Sequence, residues 1–190
     1  MAIPKNTIQE MTGLETDRLI LRMFTLEDLD SLDQIFNNPD VMKYLGLNGE
    51  PMSRAETETA LLSMIKHWER HGFGRWAVIS KRDRKLIGCA GLRSFEGTAE
   101  LVFLIDKPCW GQGLATEIAA ACLKFGFDKH KFKNIIAFAR PENTASRKVM
   151  EKVGMHFVQE TIVFGVFVVQ YELSDKNYYY NIRQLTNMKF

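Results

Sequence analysis

The fold class this chain predicts is a single α/β domain with a mixed sheet, and three observations lead there. Period-2 apolar segments alternate with apolar stripes of helical spacing. Cap residues and glycines punctuate the segments. Near the middle, an apolar strand runs into Trp110-Gly111-Gln112-Gly113-Leu114-Ala115, and an apolar helix starts at once.

Residues 16–22 read as a strand, with Leu19 and Leu21 on one face. Thr25 and Asp28 have capping-box spacing, and Leu26, Leu29, Leu32, Ile35 and Phe36 continue as a helical stripe. Asn37-Asn38-Pro39 ends that helix. Ser53 with Glu56 starts another, which carries Leu61, Met64, Ile65 and Trp68 and stops at Gly72. Segments 75–81 and 85–92 flank Arg82-Asp83-Arg84 as a hairpin, and 99–105 is a third strand ending before Pro108. After the glycine loop, Leu114, Ile118, Cys122 and Phe125 mark a helix reaching about residue 127. A strand at 134–139 follows, then a helix capped by Asn143 and stopped by Gly154. Segments 157–164 and 166–173 form a closing hairpin around Gly165. The order is β-α-α-β-β-β-α-β-α-β-β over residues 14–174, with short extensions at 1–13 and 175–190. The second extension, with Tyr178, Tyr179 and Tyr180, is either a docking tail or disordered.

Hydrophobic residues make up 46% of the 190 residues and charged ones 25%, as in an ordinary globular domain able to bury a large core. A net charge of +2 gives no reason to expect nucleic acid or a membrane surface as partner. Cys89, Cys109 and Cys122 have neither a disulfide pattern nor zinc spacing. The first residues lack the apolar core of a secretion signal, so the cytoplasm is the expected location.

Glycines before a helix start let backbone N–H groups approach a phosphate closely. A dinucleotide fingerprint would need Gly or Ala where Thr116 stands, and an acid where the next strand ends at Arg140. Its first glycine would also follow the strand directly, whereas five residues, Asp106 to Trp110, intervene. A tight turn with no ligand is the plain alternative. His67 and His71 sit at helical spacing, but the glutamate is misplaced for a zincin and no third ligand is evident, so no metal is expected. Cys109 beside the loop has no evident activating base. Most aromatics, including Phe24, Phe36, Trp68 and Phe103, read as core.

The pattern resembles the GNAT superfamily of acyl-CoA-dependent N-acetyltransferases, and most closely its Rim-type branch of ribosomal-protein alanine acetyltransferases. Leu14-Glu15-Thr16-Asp17-Arg18-Leu19-Ile20-Leu21-Arg22 is similar to that branch's opening strand. Asn38-Pro39-Asp40-Val41-Met42-Lys43-Tyr44 is similar to its first-helix exit. Gly74-Arg75-Trp76-Ala77-Val78 and Leu86-Ile87-Gly88-Cys89-Ala90-Gly91-Leu92 resemble its central hairpin. Ala99-Glu100-Leu101-Val102-Phe103-Leu104 resembles the strand before the cofactor loop. Asn143-Thr144-Ala145-Ser146 and Glu151-Lys152-Val153-Gly154-Met155 resemble the second cofactor helix. The family loop reads Arg/Gln-x-x-Gly-x-Gly/Ala; Trp110 stands in the first position, while Gly113 and Ala115 fit.

The resemblance implies a mostly antiparallel sheet with helices on both faces, and acetyl transfer from acetyl-CoA to an amine without a metal. It implies cofactor contacts from Val102, Phe103, Leu104, Trp110, Gly111, Gln112, Gly113, Leu114, Ala115, Thr116, Asn143 and Ser146. With Trp110 replacing a polar residue, the pyrophosphate would rely mainly on backbone N–H groups. Glu100, a carboxylate in an apolar strand, is the candidate proton acceptor. Met150 stands where many relatives have an acidic tyrosine, so Ser146, one helical turn after Asn143, is the candidate donor to the leaving thiolate. Tyr44 and Trp76, with Glu100, are candidates to line the acceptor cleft. Deprotonating a lysine at neutral pH costs about 4.6 kcal/mol and an α-amine about 1 kcal/mol, which favours an amine of low pKa. The expected partner is an amine acceptor, either a small molecule or a protein N-terminus, and the chain itself is expected as a monomer or homodimer. Two other readings are an inert acyl-CoA-binding module and an NADP-dependent oxidoreductase.

Overall fold

The computed structural model describes residues 13–187; the expectations for residues 1–12 and 188–190 lie outside the described residues. Strand β1 (Leu14–Glu15) doubles back through Thr16, Asp17 and Arg18 into β2 (Leu19–Arg22), with Leu14 opposite Leu21. The single strand expected at 16–22 is therefore a short strand and a tight turn, closed by the Thr16 N–H donating to the Leu19 carbonyl at 3.0 Å. A 3-10 turn (Leu26–Asp28) leads into α1 (Leu29–Phe36), and a short α2 (Pro39–Met42) follows. Helix α3 (Arg54–His71) starts at the Ser53/Glu56 capping box and ends at Gly72, whose φ of 69° suits a left-handed cap. Strands β3 (Arg75–Ser80), β4 (Leu86–Phe95) and β5 (Thr98–Ile105) form a meander. Next come α4 (Leu114–Lys124), a π turn (Phe125–Lys129), β6 (Asn134–Ala139) and α5 (Thr144–Lys152). The chain closes with β7 (His156–Val163), β8 (Val166–Ser174) and α6 (Asp175–Asn187).

The eight strands form one sheet in the order β1-β2-β3-β4-β5-β6-β8-β7. Every neighbouring pair is antiparallel except β5 with β6. Among the described residues one parallel pair is too few for a doubly wound dinucleotide fold, which removes the oxidoreductase reading.

The alternation of strand side chains divides the apolar residues between two faces. Trp76, Leu92, Leu101 and Ile135 meet Ile118 and Cys122 of α4 and Met150 of α5. Ala77, Ile79 and Cys89 meet Leu32 and Ile35 of α1 and Leu61 and Met64 of α3. Each fully buried Leu, Ile or Met among them contributes about 1.5–3 kcal/mol.

The C-terminal segment continues this packing. Tyr178 stacks on Phe127 with ring centroids 4.7 Å apart, and the Tyr179 hydroxyl donates to the Phe127 carbonyl at 3.2 Å. The described part of 175–190 is thus a helix docked on the first core. Among the described residues, no helix is long and apolar enough to cross a membrane.

Candidate active site

The parallel pair β5/β6 is bonded only at Ala99–Glu100 with Ile135–Ile136, yet both strands run on. Beyond Glu100, β5 keeps β4 as its partner up to Ile105, and β6, paired with β8 along its whole length, runs on with it to Ala139. A wedge therefore opens between them toward their C-terminal ends. Strand N–H groups alternate in direction. The Asp106 N–H donates to Ile87 of β4 at 2.8 Å, so the main chains of Phe103 and Ile105 face the wedge. The Ile105 carbonyl is taken by the Trp110 indole N–H at 2.7 Å, and Phe103 is left facing the gap. The start of α4 lies at the mouth on one side and that of α5 on the other.

At the first helix start, Gly111 and Gly113 have φ of 74° and 76°, a region that costs other residues about 1–2 kcal/mol each. A Cβ on Gly111 would meet nothing within 4 Å, so the loop presents an open backbone face. Gly113 is the N-cap of α4 and has no side chain to satisfy the first N–H groups. The loop is braced from behind. Arg18 donates through Nη1 to the Gln112 carbonyl at 2.8 Å and pairs with Glu117 of α4 at 2.6 Å. Glu117 also accepts from the Thr16 hydroxyl at 2.6 Å and the Arg18 N–H at 3.0 Å. Burial pulls the Glu117 pKa upward, but the Thr16 and Arg18 donors outweigh it, and the carboxyl lies below its usual range. This brace depends on the β1–β2 turn, which a reading of 16–22 as one strand hides.

At the second helix start, the Asn143 side-chain oxygen accepts from the Ser146 N–H at 3.1 Å. Ser146 is partly buried in the first turn, and Met150, one turn on, is fully buried. Met150 is core and offers the wedge no group.

Glu100 lies at the apex of the wedge, only 3% exposed. It is directly opposite Arg93 of β4, whose Nε and Nη2 reach its two oxygens at 2.6 and 3.0 Å. Sequence reading found the carboxylate but not its partner. The aromatic wall nearby was also missed: Phe95 lies 5.1 Å from Phe138 and 5.8 Å from Phe164, centroid to centroid. Arg140, at the end of β6, donates to the Gly46 and Leu47 carbonyls at 3.0 and 2.7 Å. This contact draws the loop carrying the partly exposed Tyr44 toward the end of β6.

Trp76 requires a correction. It is fully buried between Trp68, at 5.1 Å, and Phe125, at 4.8 Å, on the face opposite Glu100. It packs the core and cannot line the acceptor cleft. His67 has both ring nitrogens engaged, with the Phe73 carbonyl at 2.8 Å and the Ser94 N–H at 3.1 Å, so it is a structural link. Burial, with Asp106 and Asp83 nearby, pushes the Cys109 thiol pKa up, which disfavours a nucleophilic thiolate.

The acetyltransferase (GNAT) domain profile matches residues 18–156. This chain belongs to the GNAT acetyltransferase family. It is therefore an acyltransferase enzyme on a fold that uses acetyl-CoA. It is 31% identical to the uncharacterized N-acetyltransferase p20 of Bacillus licheniformis, over 75% of this chain and 82% of that protein. A GNAT-family acetyltransferase structure from Bacillus anthracis superposes with a TM-score of 0.77 at 25% identity, covering 87% of this chain and 99% of that one. A ribosomal L7/L12 α-N-protein acetyltransferase solved with coenzyme A shares the fold, with a TM-score of 0.72 at 17% identity over 84% of this chain and 95% of that one.

Proposed function

We propose that this GNAT enzyme moves an acetyl group from acetyl-CoA to a primary amine by direct transfer within a ternary complex. The acceptor is a protein N-terminal α-amine or a small-molecule amine. The observation that carries the reading is the wedge itself. It exposes the Phe103 main chain between two helix starts, so a thioester arm can lie along β5 while its pyrophosphate meets the glycine loop. The open Gly111 face and the uncapped N–H groups at Gly113 and beyond fit that group.

Three steps follow for this chain's own residues. Glu100 receives the amine proton through a water. Arg93 fixes both of its oxygens and so sets the direction of the remaining lone pairs. The Phe103 N–H donates to the thioester oxygen as negative charge develops there. Nitrogen bonds to the acetyl carbon as the carbon–sulfur bond breaks, and the Ser146 hydroxyl donates a hydrogen bond to the departing sulfur. A carboxylate already bound by a guanidinium suits an acceptor of low pKa better than a lysine, consistent with the roughly 1 against 4.6 kcal/mol cost. That favours α-amines, as in the Rim-type branch.

Glu100→Gln tests the base. At neutral pH its turnover should fall by about 10²-fold or more while acetyl-CoA affinity is kept. Unchanged turnover would remove Glu100 from the role.

A further inference from the structure

We infer that Arg75 recognises an anionic group on the acceptor, a carboxylate in the simplest case, placed a few bonds from the amine. This rests on the acetyl-transfer reading, because it assigns an acceptor class to the same cleft.

The register supplies the geometry. Arg75 of β3 is opposite Gly91 of β4, and Gly91 is opposite Val102 of β5. The next row holds Arg93 opposite Glu100. Directly opposed residues share a face, so Arg75, Arg93, Glu100 and Val102 all lie on the side of the sheet covered by α1 and α3. Strands lie about 4.8 Å apart, which puts the Arg75 Cα roughly 10 Å from that of Val102. No side chain stands between them, because the middle residue is Gly91. A Cβ there would lie 2.1 Å from the Gly74 carbonyl, so the close approach of β3 to β4 requires the glycine.

The charges in these two rows do not balance. Arg93 uses its guanidinium on Glu100, and the pair is neutral. Among the described residues no carboxylate lies within ion-pair distance of Arg75. Burial pushes the Arg75 pKa down, the neighbouring Cys89 pushes it up, and Arg93 and Glu100 act on it in opposite directions, downward and upward. Arg75 is half-buried, so its guanidinium keeps some access to solvent, and its planar fork suits two carboxylate oxygens. An amine waiting beside Glu100 and Val102 would hold such a group on this face of the sheet, within reach of Arg75.

The test uses amines in matched pairs, each as carboxylate and carboxamide, running from α-amino acids to ω-amino acids of increasing length. Coenzyme A release gives kcat/KM for each. At least one wild-type pair should favour the carboxylate by about tenfold. In Arg75→Met that ratio should collapse through KM, and Arg75→Lys should restore part of it. A ratio near one in every wild-type pair, or the same ratio in Arg75→Met, would overturn the inference. Thermal stabilisation by the same compounds in the presence of coenzyme A separates the two readings. If no amine is acetylated but carboxylates stabilise wild type and not Arg75→Met, acetyl transfer fails and the anion site stands. If amines are acetylated with no carboxylate preference, the anion site fails alone. If neither turnover nor carboxylate stabilisation occurs, both fail.

Discussion

Replacing Glu117 by alanine should loosen the glycine loop from outside the cleft. Three donors converge on this carboxylate: the Thr16 hydroxyl and Arg18 Nε, each at 2.6 Å, and the Arg18 N–H at 3.0 Å. Its side chain is 17% exposed, whereas that of Arg18 is 50% exposed. A shielded hydrogen bond to a charged group contributes about 1.5–3 kcal/mol. An ion pair with one side in solvent contributes about 1 kcal/mol at most. The Thr16 bond therefore carries much of the effect, and a net loss of about 2 kcal/mol is expected. For a chain of this size that lowers Tm by roughly 4–8 °C. The donor on the Gln112 carbonyl is then unanchored, so KM for acetyl-CoA should rise by about tenfold, more than kcat falls. The pH dependence has a definite sign. Glu117 titrates lower folded than unfolded, so its stabilisation is present above the ordinary carboxylate pKa and is lost as pH falls through the folded value. The Tm gap between wild type and Glu117→Gln should accordingly close in acid. Unfolding curves and initial rates at varied acetyl-CoA measure both effects. A variant that melts with the wild type and keeps its KM would refute the brace.

Ser146→Ala should lower kcat while leaving the helix cap intact, because the cap uses the Ser146 N–H rather than its hydroxyl; pre-steady-state release of coenzyme A reads this, and an unchanged kcat would leave the thiolate without this donor. Met150→Ala should cost about 2–5 kcal/mol, as expected for emptying a fully buried position, in a denaturant titration. His67 has a pKa lowered chiefly by burial, with His71 contributing and the bond to the Phe73 carbonyl opposing. Its unfolded state therefore binds the proton first as pH drops from neutral, and stability should decline below about pH 6.5. His67→Gln should flatten that decline in urea titrations at a series of pH values, and an unaltered slope would count against it.

Much of the scaffold was legible because local signals agreed with the fold. The Ser53/Glu56 box, the Gly72 stop and the apolar run at 134–139 each define an element by its own residues. Glu100 was legible as a carboxylate among apolar alternation partners. Its partner Arg93 was not, although the signal was present. Glu96 and Gly97 have φ of 47° and 82°, forming a two-residue hairpin loop, and that loop fixes Arg93 opposite Glu100. Ending the fourth strand at Leu92 hid the register. Trp76 misled because the period-2 pattern tells which residues share a face and not which face holds the cleft. The brace was illegible because Thr16 and Arg18 meet Glu117 about a hundred positions away, a pairing only the assembled sheet creates.

In the proposed complex, acetyl-CoA lies in the wedge between β5 and β6 with its pyrophosphate on the glycine loop. Amide hydrogen exchange with and without saturating coenzyme A tests it most directly. Exchange should slow at Phe103 and over residues 111–116, with little change along β7. Protection confined to other segments, or none at either site, would contradict it.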